Sequence, residues 1–190
     1  IAACMIPEAT VHERAEAGAL VPHSAVLRFR SPVVGDVTGI PLRRVRVHKG
    51  IWDGERLVAP DIRLANQYAY KVLGAAGLAS GDRSIWNCDP VDRWVAPADF
   101  YQRLVQRVGA RVRWAEAWEY GQGGPVISTA PLPVVLEAVG EPFDKAEFAR
   151  APIHTRQYLL DGVDLYQTVY FPGPDLPGVY RASITGDRMI

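Results

Sequence analysis

Ile1-Ala2-Ala3-Cys4-Met5-Ile6-Pro7-Glu8-Ala9-Thr10-Val11-His12-Glu13-Arg14 is the stretch on which the reading of this chain turns. Ile1 to Ile6 is an apolar run of small and medium side chains, which predicts a short helix. Pro7-Glu8-Ala9 reads as a tight turn. Thr10-Val11-His12 has the β-branched character of a strand, and Glu13 stands at its end. Helix, turn, strand and terminal acid make up the second half of a dinucleotide-binding βαβ unit. In that unit the acid takes the ribose hydroxyls about 20 residues after a glycine-rich loop. Too few residues precede Glu13 to hold such a loop, so the loop is expected upstream of residue 1 and the chain is expected to be a piece of a longer protein. The same residues also read as an ordinary helix–strand pair with a solvated glutamate, and both readings stay open at this point.

The 190 residues suffice for one domain, or for two sharing the chain. Hydrophobic residues make up 48% of the total, enough for a sizeable core. Lysine and arginine number 21, as do aspartate and glutamate, so no overall charge draws the protein to nucleic acid or to an anionic membrane. No apolar run approaches the length of a membrane span. Cys4 and Cys88 are the only cysteines. They read as buried thiols in a reducing, cytoplasmic setting, with a disulfide left open. His12, His23, His48 and His154 are scattered without metal-ligand spacing, so no metal site is expected.

Outward from the opening, Ala25-Val26-Leu27-Arg28-Phe29-Arg30 predicts a strand with Arg28 and Arg30 on one side. Two guanidiniums on one face suit a carboxylate or phosphate, and equally suit a solvated sheet face. Residues 42–52 read as a long strand, basic at Arg44, Arg46 and His48 and apolar at Val45 and Val47. Asp53-Gly54 signals a hairpin with a return strand over residues 55–59. Pro60-Asp61 opens a helix over residues 62–73, with Asn66, Gln67, Tyr70 and Lys71 on its polar face. Residues 82–86 and 93–95 are short strand candidates. Pro97-Ala98-Asp99 starts the clearest helix, with Phe100, Leu104, Val105 and Val108 at helical spacing and Gly109 as its stop. A strand is expected at residues 111–114. A turn at residues 121–124 leads into Val126-Ile127-Ser128-Thr129, the strongest strand signal of the second half, and a helix over residues 134–139 follows. Residues 152–160 and 165–171 are expected to pair around Asp161-Gly162, and residues 179–185 form a last strand.

Three of these features, in this order, resemble the FAD-binding domain of glutathione-reductase-like flavoproteins. They are the helix–strand–Glu13-Arg14 opening, the helix of residues 97–108 followed by strand 111–114, and the Val126-Ile127-Ser128-Thr129-Ala130-Pro131 strand and turn. The nearer likeness is to the amine-oxidase and UDP-galactopyranose-mutase branch. The resemblance implies an α/β fold in which an incomplete Rossmann-like FAD domain (residues 1–23 and 97–150) is interleaved with a mixed, mainly antiparallel substrate domain (residues 24–96 and 151–190). It implies FAD as cofactor, with Glu13 on the adenosine ribose, Arg14 near the adenine or phosphates, and the Val112 backbone at the adenine edge. Thr129 and Ala130 would lie in the turn that passes the cofactor, and Asp187 of Gly186-Asp187 at the ribityl chain. The expected function is a flavin-dependent oxidoreductase, incomplete here and inactive alone, taking a hydride from a small substrate, anionic or hydroxyl-rich. The alternatives are a mutase-like flavoenzyme acting without net oxidation and a non-catalytic α/β binding module. Among the many basic and tyrosyl residues of the substrate domain, Arg28, Arg30 and Arg181 are the first candidates for substrate binding. The others, among them Lys49, include further candidates to line the same pocket, and most of them are expected to be surface charges. No acid pair, Ser–His–Asp set or nucleophilic cysteine stands at a readable spacing, which suits an enzyme whose cofactor carries the chemistry and suits a binding module as well.

Overall fold

A computed structural model describes residues 1–17, 27–74, 85–119, 124–148 and 154–190. The chain is a mixed α/β protein whose main feature is a curled sheet of eight strands. The sheet is organised around β3 (Arg43–Trp52). Along β3, Val45 and Val47 are buried while Arg44, Arg46 and His48 are exposed, the period-two burial of a half-covered strand. β2 (Arg28–Phe29), β4 (Leu57–Val58), β5 (Val91–Val95), β7 (Tyr158–Leu159), β8 (Leu165–Tyr170), β9 (Arg181–Gly186) and β10 (Arg188–Met189) complete it. The order is β2-β5-β3-β8-β9-β10-β7, with β4 folded back on β3. The β3–β8 pair is parallel and the other pairings are antiparallel.

The core lies between the sheet and α3 (Ile62–Leu73). Local chemistry sets the ends of this helix. The Asp61 carboxylate accepts the Leu64 N–H at 2.7 Å, and Gly74 takes the left-handed conformation at φ 71° that ends a helix without a Cβ clash. Its inner face, Leu64, Ala65 and Tyr68, packs with Ile85 on Ile51, whose side chain is fully buried. Lys71, expected on a solvated face, instead donates to three carbonyls, those of Phe171, Gly173 and Leu176 at 2.8–2.9 Å. It ties the β8–β9 connection to the helix.

A second, two-stranded parallel sheet pairs β1 (Val11–Glu13) with β6 (Val112–Trp114), segments some hundred residues apart, in the register Val11–Val112 and Glu13–Trp114. α1 (Ala2–Met5) precedes β1, and α4 (Phe100–Val108) leads through a 3-10 turn at Gly109–Arg111 into β6. Arg111 joins the two halves. One guanidinium nitrogen donates to the carbonyls of Ile6, Pro7 and Ala9 at 2.9–3.1 Å, holding the α1–β1 connection against β6. α4 buries Phe100 and Val108, and Phe100 meets Phe29 of β2 with ring centroids 5.9 Å apart. α2 (Val33–Thr38) follows β2.

Several sequence expectations give way to tertiary context. Residues 126–129 form no strand, and Val126 and Ile127 are 49% and 69% exposed. β-propensity supplies a surface suited to pairing but no partner, and no described strand lies alongside. α5 (Leu132–Val139) begins two residues earlier than expected and leaves Leu132, Val134 and Val139 exposed. Asp161-Gly162 turns the chain without making a hairpin. β7 pairs with β10, and β8 pairs with β3 and β9. Ile85 and Trp86 are irregular, and β2 is limited to Arg28–Phe29 within the described residues. The expected strand positions 25, 26 and 82–84, the turn at 121–123 and the strand start at 152–153 lie outside the described residues.

Candidate functional site

The pairing registers bring side chains of five strands onto one sheet face. Val95 of β5 lies opposite Arg28 of β2, and Arg93 opposite Val45 of β3. Lys49 lies opposite Thr168 of β8, and Tyr170 opposite Arg181 of β9. Residues directly opposite share a face, and alternate residues along a strand return to it. The side of β3 that carries Val45, Val47, Lys49 and Ile51 therefore continues through Arg93 and Arg28 in one direction. In the other it continues through Thr168, Tyr170 and Arg181. Arg44 and Arg46 project from the opposite face, where both bind the Asp92 carboxylate.

On the first face the sheet holds a cavity of about 280 Å³, lined by the cations Arg28, Arg30, Lys49, Arg93 and Arg181 and by the hydroxyls of Thr168 and Tyr170. Among the described residues its lining contains no carboxylate. Among the described residues none of the five cations forms an ion pair. Their polar contacts go to neutral groups. Arg28 Nη2 donates to Thr168 Oγ1 at 3.1 Å, Lys49 to the Asn87 carbonyl at 3.3 Å, and Arg93 to the Asp92 carbonyl at 2.8 Å. Arg28 Nη1 is buried without a hydrogen-bond partner. Burial, and then the positive charges of Arg181 and Arg93, push the Arg28 guanidinium below its ordinary pKa range. An arginine stays protonated through such a shift, so the shift expresses how strongly the site disfavours its own charge. Burial raises the Tyr170 phenol, and that group keeps its proton to donate.

Arg28, Arg30 and Arg181, singled out from sequence, thus line one cavity, joined by Lys49, one of the further basic residues named there, and by Arg93, which sequence reasoning left aside. The alternation Val91, Arg93, Val95 carried the signal for Arg93, but only the register shows which face those residues occupy. Among the described residues the lining holds no histidine, thiol or carboxylate. Such a convergence of donors is chemically suited to an anion. A larger hollow of about 430 Å³ beside α2, lined by Pro32, Gly35, Gly39, Pro41 and Trp94 among others, carries Asp36 as its one charged side chain and has no comparable convergence.

The residues expected around FAD fall into separate places. Glu13 ends β1 half-buried, with Oε1 accepting the Ala15 N–H at 3.0 Å. Tyr101 lies close enough for the Glu13 charge to add to burial in raising its phenol. Val112 is the neighbour of Val11 across the parallel pair, and Arg14 is exposed. Thr129 and Ala130 are exposed ahead of α5, and the Ala130 N–H is turned to the Ser128 hydroxyl at 3.2 Å. Asp187 sits in the β9–β10 turn of the large sheet, its backbone carbonyl accepting the Leu160 N–H and its carboxylate 3.8 Å from Arg188.

The described residues hold no group of three or more His, Cys, Asp or Glu placed for a metal ion, and no helix among them is long and apolar enough to cross a membrane. Cys4 and Cys88 are half-buried free thiols. Comparisons of the chain with protein-family models, with curated proteins and with solved structures return no match.

Proposed function

We propose that this chain is part of a flavin-dependent oxidoreductase, with Glu13 at the cofactor's ribose and the cationic sheet face at an anionic small substrate. The observation that carries the reading is the parallel β1–β6 pair with Glu13 at its carboxyl end. In a dinucleotide-binding sheet of order 3-2-1-4, the acid ends the second strand and the third strand lies beside it in parallel. The first strand then runs along the other edge of β1, between β1 and the fourth.

The fit to FAD is partial. The Glu13 carboxylate keeps Oε2 for a ribose hydroxyl, since the described contact engages Oε1 alone. The pyrophosphate requires a helix N-terminus after a glycine loop, which the reading places upstream of residue 1. Bound FAD supplies hydride acceptance. The residues of this chain position the ribose through Glu13 and hold the substrate anion through the arginines. Full-length protein is expected to purify yellow. A colourless full-length protein that ignores added FAD refutes the reading. Residues 1–190 alone are expected to bind FAD weakly or not at all, and Glu13→Gln in the full-length protein to weaken it about tenfold, the loss of one hydrogen bond to a charged group.

A non-catalytic anion-binding module is favoured by a different observation: the described residues supply five cations to the cavity, and its described lining holds no histidine, thiol or carboxylate. Anion binding by a full-length protein indifferent to FAD would select this second reading.

A further inference from the structure

We infer that the cavity between Arg28, Lys49, Arg93 and Arg181 is a site for a phosphomonoester group, a tetrahedral dianion with the remainder of a small metabolite attached. The inference deepens the reading of this face as the substrate site.

Three observations carry it. The first is charge. Five cations from β2, β3, β5, β9 and the residue after β2 surround one hollow, and no carboxylate among the described residues pairs with any of them. Arg30 and Arg181 are exposed at its rim, whereas on the other sheet face Arg44 and Arg46 are paired with Asp92. Here Arg28 is drawn inward and braced by Thr168, a threonine only 7% exposed. A half-buried guanidinium with one nitrogen fully buried and no counterion is unfavourable, and an anion in the cavity offsets that cost.

The second observation is donor geometry. The Arg28 fork has one nitrogen fixed on Thr168 Oγ1 and the other buried without a partner. Because Thr168 Oγ1 accepts from Arg28, its own hydrogen remains to be donated. The Tyr170 phenol adds a second hydroxyl in the lining. Guanidiniums arriving from both sides of β3, with the hydroxyls of Thr168 and Tyr170 among them, present donors from several directions. A planar carboxylate offers two oxygens in one plane. A phosphoryl group offers three terminal oxygens in a tripod and up to two charges, which matches the donors more fully.

The third observation is size. About 280 Å³ holds a phosphoryl group and several further atoms, at the lower edge of small-molecule sites. A bare ion leaves most of that volume unfilled.

The test measures binding to the 190-residue chain without FAD, by isothermal titration and by chemical-shift perturbation. The probes are inorganic phosphate, glycerol 3-phosphate, succinate and acetate at fixed ionic strength. Both phosphate probes are expected to bind at least tenfold tighter than succinate and acetate, with the ester tighter than the free ion. Arg28→Met and Arg181→Met should each weaken glycerol 3-phosphate at least tenfold. Thr168→Val, which removes the brace and no charge, should weaken it severalfold, and Arg44→Gln on the opposite face should leave it unchanged. Circular dichroism establishes that each variant is folded, and Thr168→Val keeps the test decisive if an arginine variant is not. Succinate as tight as the ester would overturn the inference, as would an affinity indifferent to both Arg28→Met and Thr168→Val. An equal loss in Arg44→Gln would reduce the effect to net charge and overturn it too. Phosphate binding in a protein that never takes FAD would break the flavin reading alone. FAD binding without phosphate binding would break this inference alone.

Discussion

Arg28→Met is expected to stabilise the ligand-free protein at low ionic strength and to lose that advantage in salt. The cavity volume of about 280 Å³ corresponds to a sphere about 8 Å across. Two unit charges about 8 Å apart at an effective dielectric near 20 repel by about 2 kcal/mol. Arg181 and Arg93 are the two charges that act on Arg28, so replacing Arg28 relieves about 4 kcal/mol before screening. Against this stands the charge-assisted hydrogen bond to Thr168, whose loss costs about 2 kcal/mol. Met retains the apolar stem and fills similar space. The net gain is about 2 kcal/mol at low salt. At physiological ionic strength the Debye length is about 8 Å, which leaves a little over a third of the repulsion, and the two effects then nearly cancel. Urea unfolding at about 10 mM and about 150 mM salt reads both values, and about 2 kcal/mol corresponds to a Tm shift of about 4–8 °C in a chain of this size. If Arg28→Met is less stable than the parent at both ionic strengths, Arg28 is a structural brace for Thr168 and the strained-cation account is wrong.

Three further perturbations follow from other parts of the fold. Lys71→Met removes three carbonyl contacts at once and should cost about 2 kcal/mol by denaturant unfolding. The loss should appear as faster hydrogen exchange in the Phe171–Leu176 connection, and unchanged exchange there would show that the clamp holds nothing. Asp92 is held below the ordinary carboxylate range by hydrogen bonds from Arg44 first and Arg46 second. Its contribution is thus fully present above the unfolded value of about 4 and lost as pH falls through the lower folded value. Asp92→Asn should flatten the acid limb of a circular-dichroism titration below about pH 4, and an unchanged limb would mean the ion pair adds nothing. Ile127→Ser should change stability by less than about 0.5 kcal/mol, because Ile127 is 69% exposed. A loss above about 2 kcal/mol would place residues 126–129 in a packed strand after all.

Legibility in the sequence followed the range of the forces involved. The ends of α3 were readable because Asp61 and Gly74 act on backbone groups within a few residues. The β3 strand was readable because its alternation is local, and the order of α1, β1 and Glu13 was readable for the same reason. Arg28 and Arg30 could be recognised as cations for one face, since strand period alone places them there. What the chain could not reveal by itself was partnership. The Val126-Ile127-Ser128-Thr129 run has the composition of a strand, but composition does not supply a neighbour. The Asp161-Gly162 turn has hairpin chemistry, yet β8 finds its partners in β3 and β9. Lys71 reads as a charge on the polar face of a helix and Arg111 as the first residue of a strand until the fold delivers three carbonyls to each. The cationic cavity is the clearest case. Residues 28, 49, 93 and 181 become neighbours only through the registers of four strand pairings. Side-chain period tells which residues share a face of one strand, while long-range hydrogen-bond register decides which faces of different strands meet.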